Sequence, residues 1–310
     1  MMAPVVVFGA TFRNPILLAA GTAGFGREIA ALTDLDALGG LVTKAVSVEP
    51  RHGNPAPRVA ETAGAMLNSI GLANPGLEVV RSEMLPRLAA HAGALRVLVN
   101  VVGNTTDDFV TVVRGLDAVP PVCAFELNVS CPNTERGGIE FGADERSLAG
   151  LVTRARAVTT RPLIVKFSPT LPEPARTASV AAAAGADGFT CVNTLPALLF
   201  DEEPPHASRL GSRTGGLSGP PLLPVGLRMT DLVARETGLP VIGAGGVRSG
   251  RDAWQYLAAG ASLVAVGTAA LADPRSPERI AHELSAILAR EALPRVPHTA
   301  PRPRAGVAHG

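Results

Sequence analysis

Short apolar runs alternate with longer helical stretches along most of this chain. The segments 144–160, 173–184, 220–237 and 249–259 carry the Ala, Leu and Arg content that is typical of helices. The apolar runs end near Ala19, Lys44, Val101, Asn128, Phe167, Asn193, Gly243 and Val266. Eight strands that alternate with helices predict an α/β fold, a parallel (β/α)8 barrel of the TIM type, rather than two doubly wound halves. We expect residues 1–293 to form this single domain.

Two segments are too long to be simple barrel connections. Residues 51–75 are rich in Gly, Pro and Asn, and residues 195–221 contain a pair of prolines and several glycines. Long loops inside a compact domain are usually lids or covers, so we expect both to cover the C-terminal face of the barrel. Residues 294–310 are dominated by Pro, Arg, Ala and Gly without an apolar period, which predicts a disordered tail.

Composition and charge narrow the possible function classes. The chain has 310 residues, of which 46% are hydrophobic, and its net charge is only +1. Proteins that bind nucleic acid concentrate positive charge on one face, so no nucleic-acid partner is expected. The first residues lack the features of a signal peptide, and no apolar run approaches the roughly 20 residues that span a bilayer. We therefore expect a cytoplasmic protein without membrane attachment. The dispersed histidines offer no metal-ligand spacing, so no metal site is expected.

Lysine occurs only at Lys44 and Lys166, whereas the remaining 26 of the 28 basic residues are arginines. Both lysines end apolar runs, and the C-terminal ends of barrel strands build the active site. An ammonium is a compact point charge, unlike the planar guanidinium. Two ordinary surface lysines are the structural alternative. The preferred interpretation is that two strand ends need an ammonium for chemistry.

Cys131 follows the fourth predicted strand in the run Glu-Leu-Asn-Val-Ser-Cys-Pro-Asn at 126–133. A thiol has an ordinary pKa of about 8.5, so a modest shift in a polar loop makes it a base near neutral pH. Cys123 and Cys191 lie among apolar residues, where a thiol acts as a small hydrophobic group. Cys131 is therefore the candidate catalytic residue.

Asparagine is enriched at the predicted strand ends. Five of the nine asparagines lie at such positions or on the second loop: Asn68, Asn100, Asn128, Asn133 and Asn193. A carboxamide offers two donors and an acceptor without charge, which suits the edge of a pyrimidine-like ring or of a flavin. Any one of them could instead be a turn residue.

Glycines follow the seventh and eighth predicted strands. The two loops are Gly-Ala-Gly-Gly at 243–246 and Val-Gly-Thr at 266–268. Phosphate sites in these barrels lie on the loops after strands seven and eight, where backbone amides approach the phosphate. Glycines also form simple turns. The loops do not contain the G-x-G-x-x-G pattern of dinucleotide-binding folds.

Together these motifs resemble the class 1 dihydroorotate dehydrogenases, and most closely the catalytic subunit of subtype B. The resemblance extends from about Asn14 to about Arg290 and rests on residues 44–45, 54–58, 66–72, 126–133, 192–194, 215–220, 245–246 and 267–268. Class 2 members use a Ser base and carry an N-terminal membrane helix, whereas this chain has Cys131. Subtype A is a self-sufficient homodimer that uses fumarate, but segment 215–220 is more similar to subtype B.

The resemblance implies oxidation of dihydroorotate to orotate in pyrimidine synthesis, with FMN as the cofactor. Cys131 would remove the C5 proton while the C6 hydride passes to FMN, and Lys166 would lie against the flavin. The implied FMN contacts are Ala20, Lys44, Ala45, Asn100, Asn128, Lys166, Val192, Gly219, Gly245, Gly246, Gly267 and Thr268. The implied substrate contacts are Lys44, Asn68, Ser69, Ile70, Gly71, Leu72, Asn128, Asn133, Asn193 and Thr194.

The resemblance also has departures and implied partners. A Ser common in the family is here Ala20, and Val102 adds bulk near the expected flavin. Three cysteines cannot hold an iron–sulfur cluster, which usually takes four thiolates. The subtype B resemblance therefore implies a homodimer joined by a second protein with FAD and a [2Fe–2S] cluster, which passes electrons to NAD in a heterotetramer.

Three alternatives stay open at this point. A Schiff-base aldolase barrel would use Lys166 as the nucleophile and would not need Cys131. A second alternative is a flavin-dependent reductase of another dihydropyrimidine or of uridine in transfer RNA. The latter should have a basic face, which this chain of balanced charge lacks. A non-catalytic phosphate-binding barrel would bind no flavin.

Overall fold

The computed structural model describes residues 2–90, 93–130, 132–133, 139–203 and 205–293. Cys131 and the predicted disordered tail at 294–310 lie outside the described residues.

The strands are β1 (Val5–Val7), β2 (Ala10–Phe12), β3 (Ile16–Leu18), β4 (Gly40–Val42), β5 (Val59–Thr62), β6 (Ala65–Asn68), β7 (Arg96–Val101), β8 (Val122–Asn128), β9 (Pro132–Asn133), β10 (Ile139–Glu140), β11 (Leu163–Phe167), β12 (Gly188–Cys191), β13 (Leu195–Ala197), β14 (Gly215–Ser218), β15 (Val241–Ala244) and β16 (Leu263–Val266).

Eight parallel strands close into a barrel, which confirms the predicted (β/α)8 fold. Their order around the barrel is β3, β4, β7, β8, β11, β12, β15 and β16. The predicted strand ends fall within about two residues of the observed ones. Buried side chains from these strands and from the β1–β2 hairpin, among them Leu98, Ala124, Ile164 and Phe12, form one cluster inside the barrel. The hairpin therefore closes the N-terminal end and leaves the carboxyl ends of the strands for the site.

Helices surround the barrel and bury their apolar faces against the outer side of the strands. They are α1 (Arg27–Ala30), α2 (Leu77–Val79), α3 (Leu85–Ala89), α4 (Thr106–Leu116), α5 (Glu145–Arg156), α6 (Pro174–Ala183), α7 (Leu223–Thr237), α8 (Gly250–Ala258), α9 (Thr268–Ala272) and α10 (Ser276–Leu288), with a π-helical turn at Val80–Met84 between α2 and α3. Capping boxes start α4 at Thr105 and α8 at Ser249, and Gly238 ends α7 in the left-handed conformation. In the described part of the chain, no helix is long and apolar enough to cross a membrane.

The two long segments are not simple loops, because they pair with each other. Strands β13, β14, β6 and β5 form a four-stranded antiparallel sheet, in that order. Its central pairing places Gly216 opposite Asn68 and Ser218 opposite Met66. The sequence analysis expected both segments to be covers, but it did not predict that they join in one small sheet. Each segment contributes one short hairpin, and the pairing between hairpins joins residues 148 positions apart.

Candidate active site

The C-terminal ends of four neighbouring strands bring together a buried polar cluster. Glu126 on β8 is 1% exposed, and both of its carboxylate oxygens accept hydrogen bonds. Oε1 accepts from Asn100 Nδ2 on β7 at 2.7 Å, and Oε2 accepts from the Thr190 hydroxyl on β12 at 2.6 Å. The Lys166 ammonium on β11 lies 3.6 Å from Glu126 Oε1. The sequence predicts Asn100 and Lys166 as site residues, but not Glu126 or Thr190.

Strand register explains why these side chains meet. Asn100 lies opposite Glu126, and Lys166 lies opposite both Asn128 and Thr190. Alternate residues of a strand share a face, so Glu126 and Asn128 follow Ala124, which belongs to the inner apolar cluster. The barrel interior therefore changes from apolar to polar as β8 approaches its carboxyl end. The sequence did contain a signal for Glu126, because this acidic residue lies two positions after an inward-facing residue of the same strand.

Two predicted substrate residues, Asn193 and Asn128, touch each other beside this cluster. Asn193 Nδ2 donates to Asn128 Oδ1 at 3.3 Å, and Asn193 Oδ1 accepts from the backbone N–H of Thr194 at 2.9 Å. Val192, just before them, is buried and donates its backbone N–H to Ala244 on β15. The loop after β12 is thus tied to the neighbouring strand and presents two carboxamides next to each other.

Lys44 follows β4 and is half-buried. Within the described ranges, its ammonium has no carboxylate partner, unlike that of Lys166. The neighbouring Ala45 packs with Val102 and Leu72 in a small buried cluster. The larger side chain of Val102 is therefore accommodated by packing against Leu72, the last residue of the segment 68–72. Ala20 lies after β3 and packs against the inner apolar cluster.

The segment 68–72 continues β6 of the covering sheet and is held by hydrogen bonds from three directions. Asn68 Nδ2 donates to the carbonyl of Gly216 at 3.3 Å. The Ser69 hydroxyl accepts from Asn54 Nδ2 at 2.7 Å and from the Ser212 hydroxyl at 2.6 Å. The backbone N–H of Asn54 also donates to the carbonyl of Ile70. The predicted substrate segment is therefore fixed by the cover.

A buried asparagine that the sequence analysis did not select supports the end of this segment. Gly71 and Leu72 both have positive φ, at 70° and 55°. Asn74 Nδ2 donates to the carbonyl of Leu72 and to the Ser47 hydroxyl, both at 2.8 Å. Its Oδ1 accepts from the backbone N–H groups of Ser47 and Gly76. Asn74 thus satisfies its hydrogen bonds internally and joins the segment to the loop after β4.

The predicted phosphate-binding glycines converge beside β15 and β16. Gly219, Gly245 and Gly246 have φ of 99°, 115° and 74°, a backbone region that side chains rarely adopt. A Cβ atom at Gly246 would lie 2.6 Å from the backbone nitrogen of Leu223, so only glycine fits this turn. The Thr268 hydroxyl donates to Ser218 Oγ at 2.8 Å, which joins the α9 start to the end of β14.

Tyr256 fixes the loop after β15 from below. Its side chain is fully buried, and its hydroxyl lies 2.9 Å and 2.7 Å from the carbonyls of Ala244 and Gly245. Burial raises the pKa of the Tyr256 phenol well above its usual range, so the hydroxyl stays a donor. The backbone of the glycine loop is therefore held in one conformation before any ligand arrives.

The loop that carries the predicted base is only partly described. Asn133 lies in β9, where its backbone pairs with Ile139 of β10, but its side chain, like Cys131, is outside the described residues. The hydroxyl of Ser130, just before Cys131, is buried and has no hydrogen-bond partner among the described residues. The other two cysteines lie elsewhere in the barrel, and burial raises the pKa of both thiols.

Comparisons with known proteins agree with this geometry. The family described as dihydroorotate dehydrogenase matches residues 2–288 of the chain. The chain belongs to the dihydroorotate dehydrogenase family. A Cutibacterium acnes protein named dihydroorotate dehydrogenase B (NAD(+)), catalytic subunit, is 45% identical over 90% of this chain and 91% of its own length. A Solibacter usitatus protein with the provisional name dihydroorotate dehydrogenase A (fumarate) is 47% identical over 93% of each chain.

Solved structures support the same conclusion. The crystal structure of dihydroorotate dehydrogenase from Eimeria tenella in complex with ferulenol has a TM-score of 0.77 to this chain, with 26% identity. The match covers 93% of this chain and 84% of that one. The predicted family and barrel fold are therefore confirmed, and the chain is a flavin-dependent oxidoreductase. A role as an aldolase or as a non-catalytic barrel is not supported.

Proposed function

We propose that this protein oxidises dihydroorotate to orotate with FMN as its cofactor and Cys131 as the base. The observation that carries the proposal is the convergence, at one end of the barrel, of a glycine-lined cradle with two lysines and a row of carboxamides. Each group suits one part of the reaction: the cradle suits a phosphate, the carboxamides suit a polar ring, and Lys44 suits an anion.

The residues of the structure fit FMN. The backbone turns at three glycines with positive φ, Gly219, Gly245 and Gly246, and a Cβ atom would not fit at Gly246. Together with Gly267 and Thr268, these turns form a cradle that suits the ribityl phosphate. We infer that Lys166, Asn100 and Asn128 contact the ring system, together with Ala20, Ala45 and Val192. Bound FMN supplies the acceptor for the hydride that leaves C6 of dihydroorotate.

The substrate contacts follow from the segment 68–72 and the loop after β12. We infer that Asn68, Asn128, Asn193 and Thr194 hold the dihydroorotate ring, with Asn133 and Ser69 to Leu72 completing the pocket. Lys44 lacks a carboxylate partner among the described residues, so its ammonium is available for the substrate carboxylate. The thiolate of Cys131 takes the C5 proton, which leaves orotate once the C6 hydride has departed.

The electron acceptor is inferred from the relatives. Several proteins that are 42–45% identical are named catalytic subunits of the NAD-linked subtype B, although the Solibacter protein is named for fumarate. We infer a cytoplasmic complex in which a homodimer of this chain binds an FAD and [2Fe–2S] subunit. The chain has only three cysteines, so a cluster that takes four thiolates belongs to the partner.

Substitution of Cys131 tests the proposal. Cys131→Ala should bind FMN normally, yet flavin reduction by dihydroorotate should slow by about 10²-fold or more, because the C5 proton then has no acceptor. Cys131→Ser should be slow and recover only at high pH, since a hydroxyl is a much weaker acid than a thiol. Stopped-flow loss of flavin absorbance measures both.

Cys123→Ala is the matched control, because this thiol lies inside the barrel on β8, against the apolar cluster. It should reduce its flavin at an unchanged rate. Near-normal reduction by Cys131→Ala at neutral pH would remove Cys131 as the base. A purified chain that takes up no FMN would remove the proposal as a whole.

A further inference from the structure

Glu126, which pairs with Lys166, has no role in the reaction as described so far. Glu126 is 1% exposed, and the Lys166 side chain is 9% exposed. Burying a carboxylate costs several kcal/mol unless it is paired and hydrogen-bonded. The described residues that contact Glu126 are Asn100, Thr190 and Lys166, and only Lys166 carries a charge.

Hydrogen bonding alone does not explain why this position is acidic. A glutamine could accept from Asn100 Nδ2 with its oxygen and donate to Thr190 Oγ with its amide, since a hydroxyl serves as donor or acceptor. The neutral residue would make the same two bonds without burying a charge. What glutamine cannot supply is a negative charge 3.6 Å from the Lys166 ammonium. The carboxylate is therefore matched to the lysine.

We propose that Glu126 is a positioning residue that holds the Lys166 ammonium against β8 by charge pairing, ready to face the flavin. Asn100 and Thr190 hold the carboxylate from the two sides, so the anchor is itself fixed. An ammonium has three donors, and the contact with Glu126 leaves the others for a ligand. The proposal rests on the proposed function only for the identity of that ligand, FMN.

The chain's composition provides a direct measurement. Because it contains only two lysines, a protein labelled with 13C at the lysine ε-carbon gives two signals, and Lys166→Arg identifies the one from Lys166. In Glu126→Gln, the Lys166 ammonium loses the counter-charge that lies 3.6 Å away. We expect the Lys166 signal of the full chain to change its chemical shift at neutral pH, while the Lys44 signal keeps its position.

Two further variants make the result specific. Glu126→Asp keeps the charge and should return the Lys166 signal most of the way to its original position. Glu83→Gln removes a carboxylate that pairs with Arg87 on the surface, and it should move neither lysine signal. An unchanged Lys166 signal in Glu126→Gln would overturn the proposal. These signals are read without dihydroorotate, so they stand whether or not the protein oxidises it.

The reciprocal change covers the case in which Glu126→Gln does not fold. Lys166→Met leaves Glu126 buried without a cation, which destabilises the folded state. Glu126→Gln in the Lys166→Met background removes the unpaired charge, so the double variant should unfold at a higher denaturant concentration than Lys166→Met alone. An equal or lower unfolding midpoint for the double variant would overturn the pairing.

Discussion

At the residue scale, the chain has two lysines and 26 arginines, and the environment of Lys166 differs from that of the paired arginines. Arginines form the other ion pairs of the described chain, most of them exposed, such as Arg154 with Asp107 and Arg279 with Glu283. Lys166 sits instead in a nearly closed site beside Glu126. A compact ammonium fits where a planar guanidinium does not, so the choice of lysine follows from the volume available.

Lys166→Arg keeps the charge and should still impair the enzyme. The guanidinium must displace Glu126 or its partners, so we expect flavin binding or flavin reduction to weaken by about tenfold or more. Flavin titration and stopped-flow reduction would measure the two effects separately. Arg154→Lys, an exchange in the opposite direction at an exposed pair, should change neither. Full flavin content with normal turnover in Lys166→Arg would show that the size and shape of the cation at position 166 do not matter.

At the element scale, the covering sheet acts as part of the site rather than as a lid of unspecified structure. Its strand β14 lies against the loop after β12, and a Cβ atom at Gly216 would lie 2.0 Å from Thr194 Oγ1. Gly216 also accepts the hydrogen bond from Asn68. One glycine thus lets two predicted substrate residues approach the same strand.

Gly216→Ala should push Thr194 aside while the barrel still folds. Loss of one or two substrate hydrogen bonds costs about 1–3 kcal/mol, so the KM for dihydroorotate should rise by roughly tenfold or more, and kcat should fall less. Steady-state kinetics give both constants. Gly150→Ala is the control, because a Cβ there meets nothing within 4 Å. It should leave the kinetics unchanged and add roughly 0.5–1 kcal/mol to helix stability. Equal kinetics for the two variants would argue against Thr194 as a substrate contact.

At the scale of the whole molecule, the half-buried thiol of Cys123 and the buried thiol of Cys191 couple barrel stability to alkaline pH. Burial raises the pKa of Cys123 from about 9.0 to about 11, despite nearby Arg96 and Arg161, which lower it. The folded-state pKa is the higher one, so the neutral thiol stabilises the fold below pH 9.0 and loses this contribution as pH rises toward about 11. The loss amounts to about 2–3 kcal/mol over that window.

Chemical unfolding at several pH values between 8 and 11 measures this effect. Cys123→Ala should lose less unfolding free energy over the window than the unsubstituted chain, even if its stability at pH 8 is lower because of the smaller side chain. Cys191 contributes in the same direction, since burial also raises the pKa of its thiol, so the slope should decrease rather than vanish. An identical slope in both proteins would show that Cys123 ionises equally in the folded and unfolded chain.

The transfer of electrons from the reduced flavin to the final acceptor depends on the proposed complex and not on this chain alone. The isolated chain should reduce artificial dyes with dihydroorotate as donor, but it should not reduce NAD at a useful rate, because it has neither a dinucleotide fingerprint nor four cysteines. Addition of the proposed FAD and [2Fe–2S] subunit should start NAD reduction, and Cys131 variants should stay inactive in the complex. Efficient reduction of NAD or of fumarate by this chain alone would overturn the subtype B assignment.

The sequence by itself determined the barrel and the residue types at its strand ends, because both depend on local periodicity and on short runs such as 126–133. It did not reveal the covering sheet, whose strands β6 and β14 are short and rich in small or turn-forming residues. It also did not reveal the anchor of Lys166, because Glu126 meets partners 26 and 64 positions away. Pairing between distant segments carries no local signature, so only the closed barrel, through its register, decided which polar side chains meet.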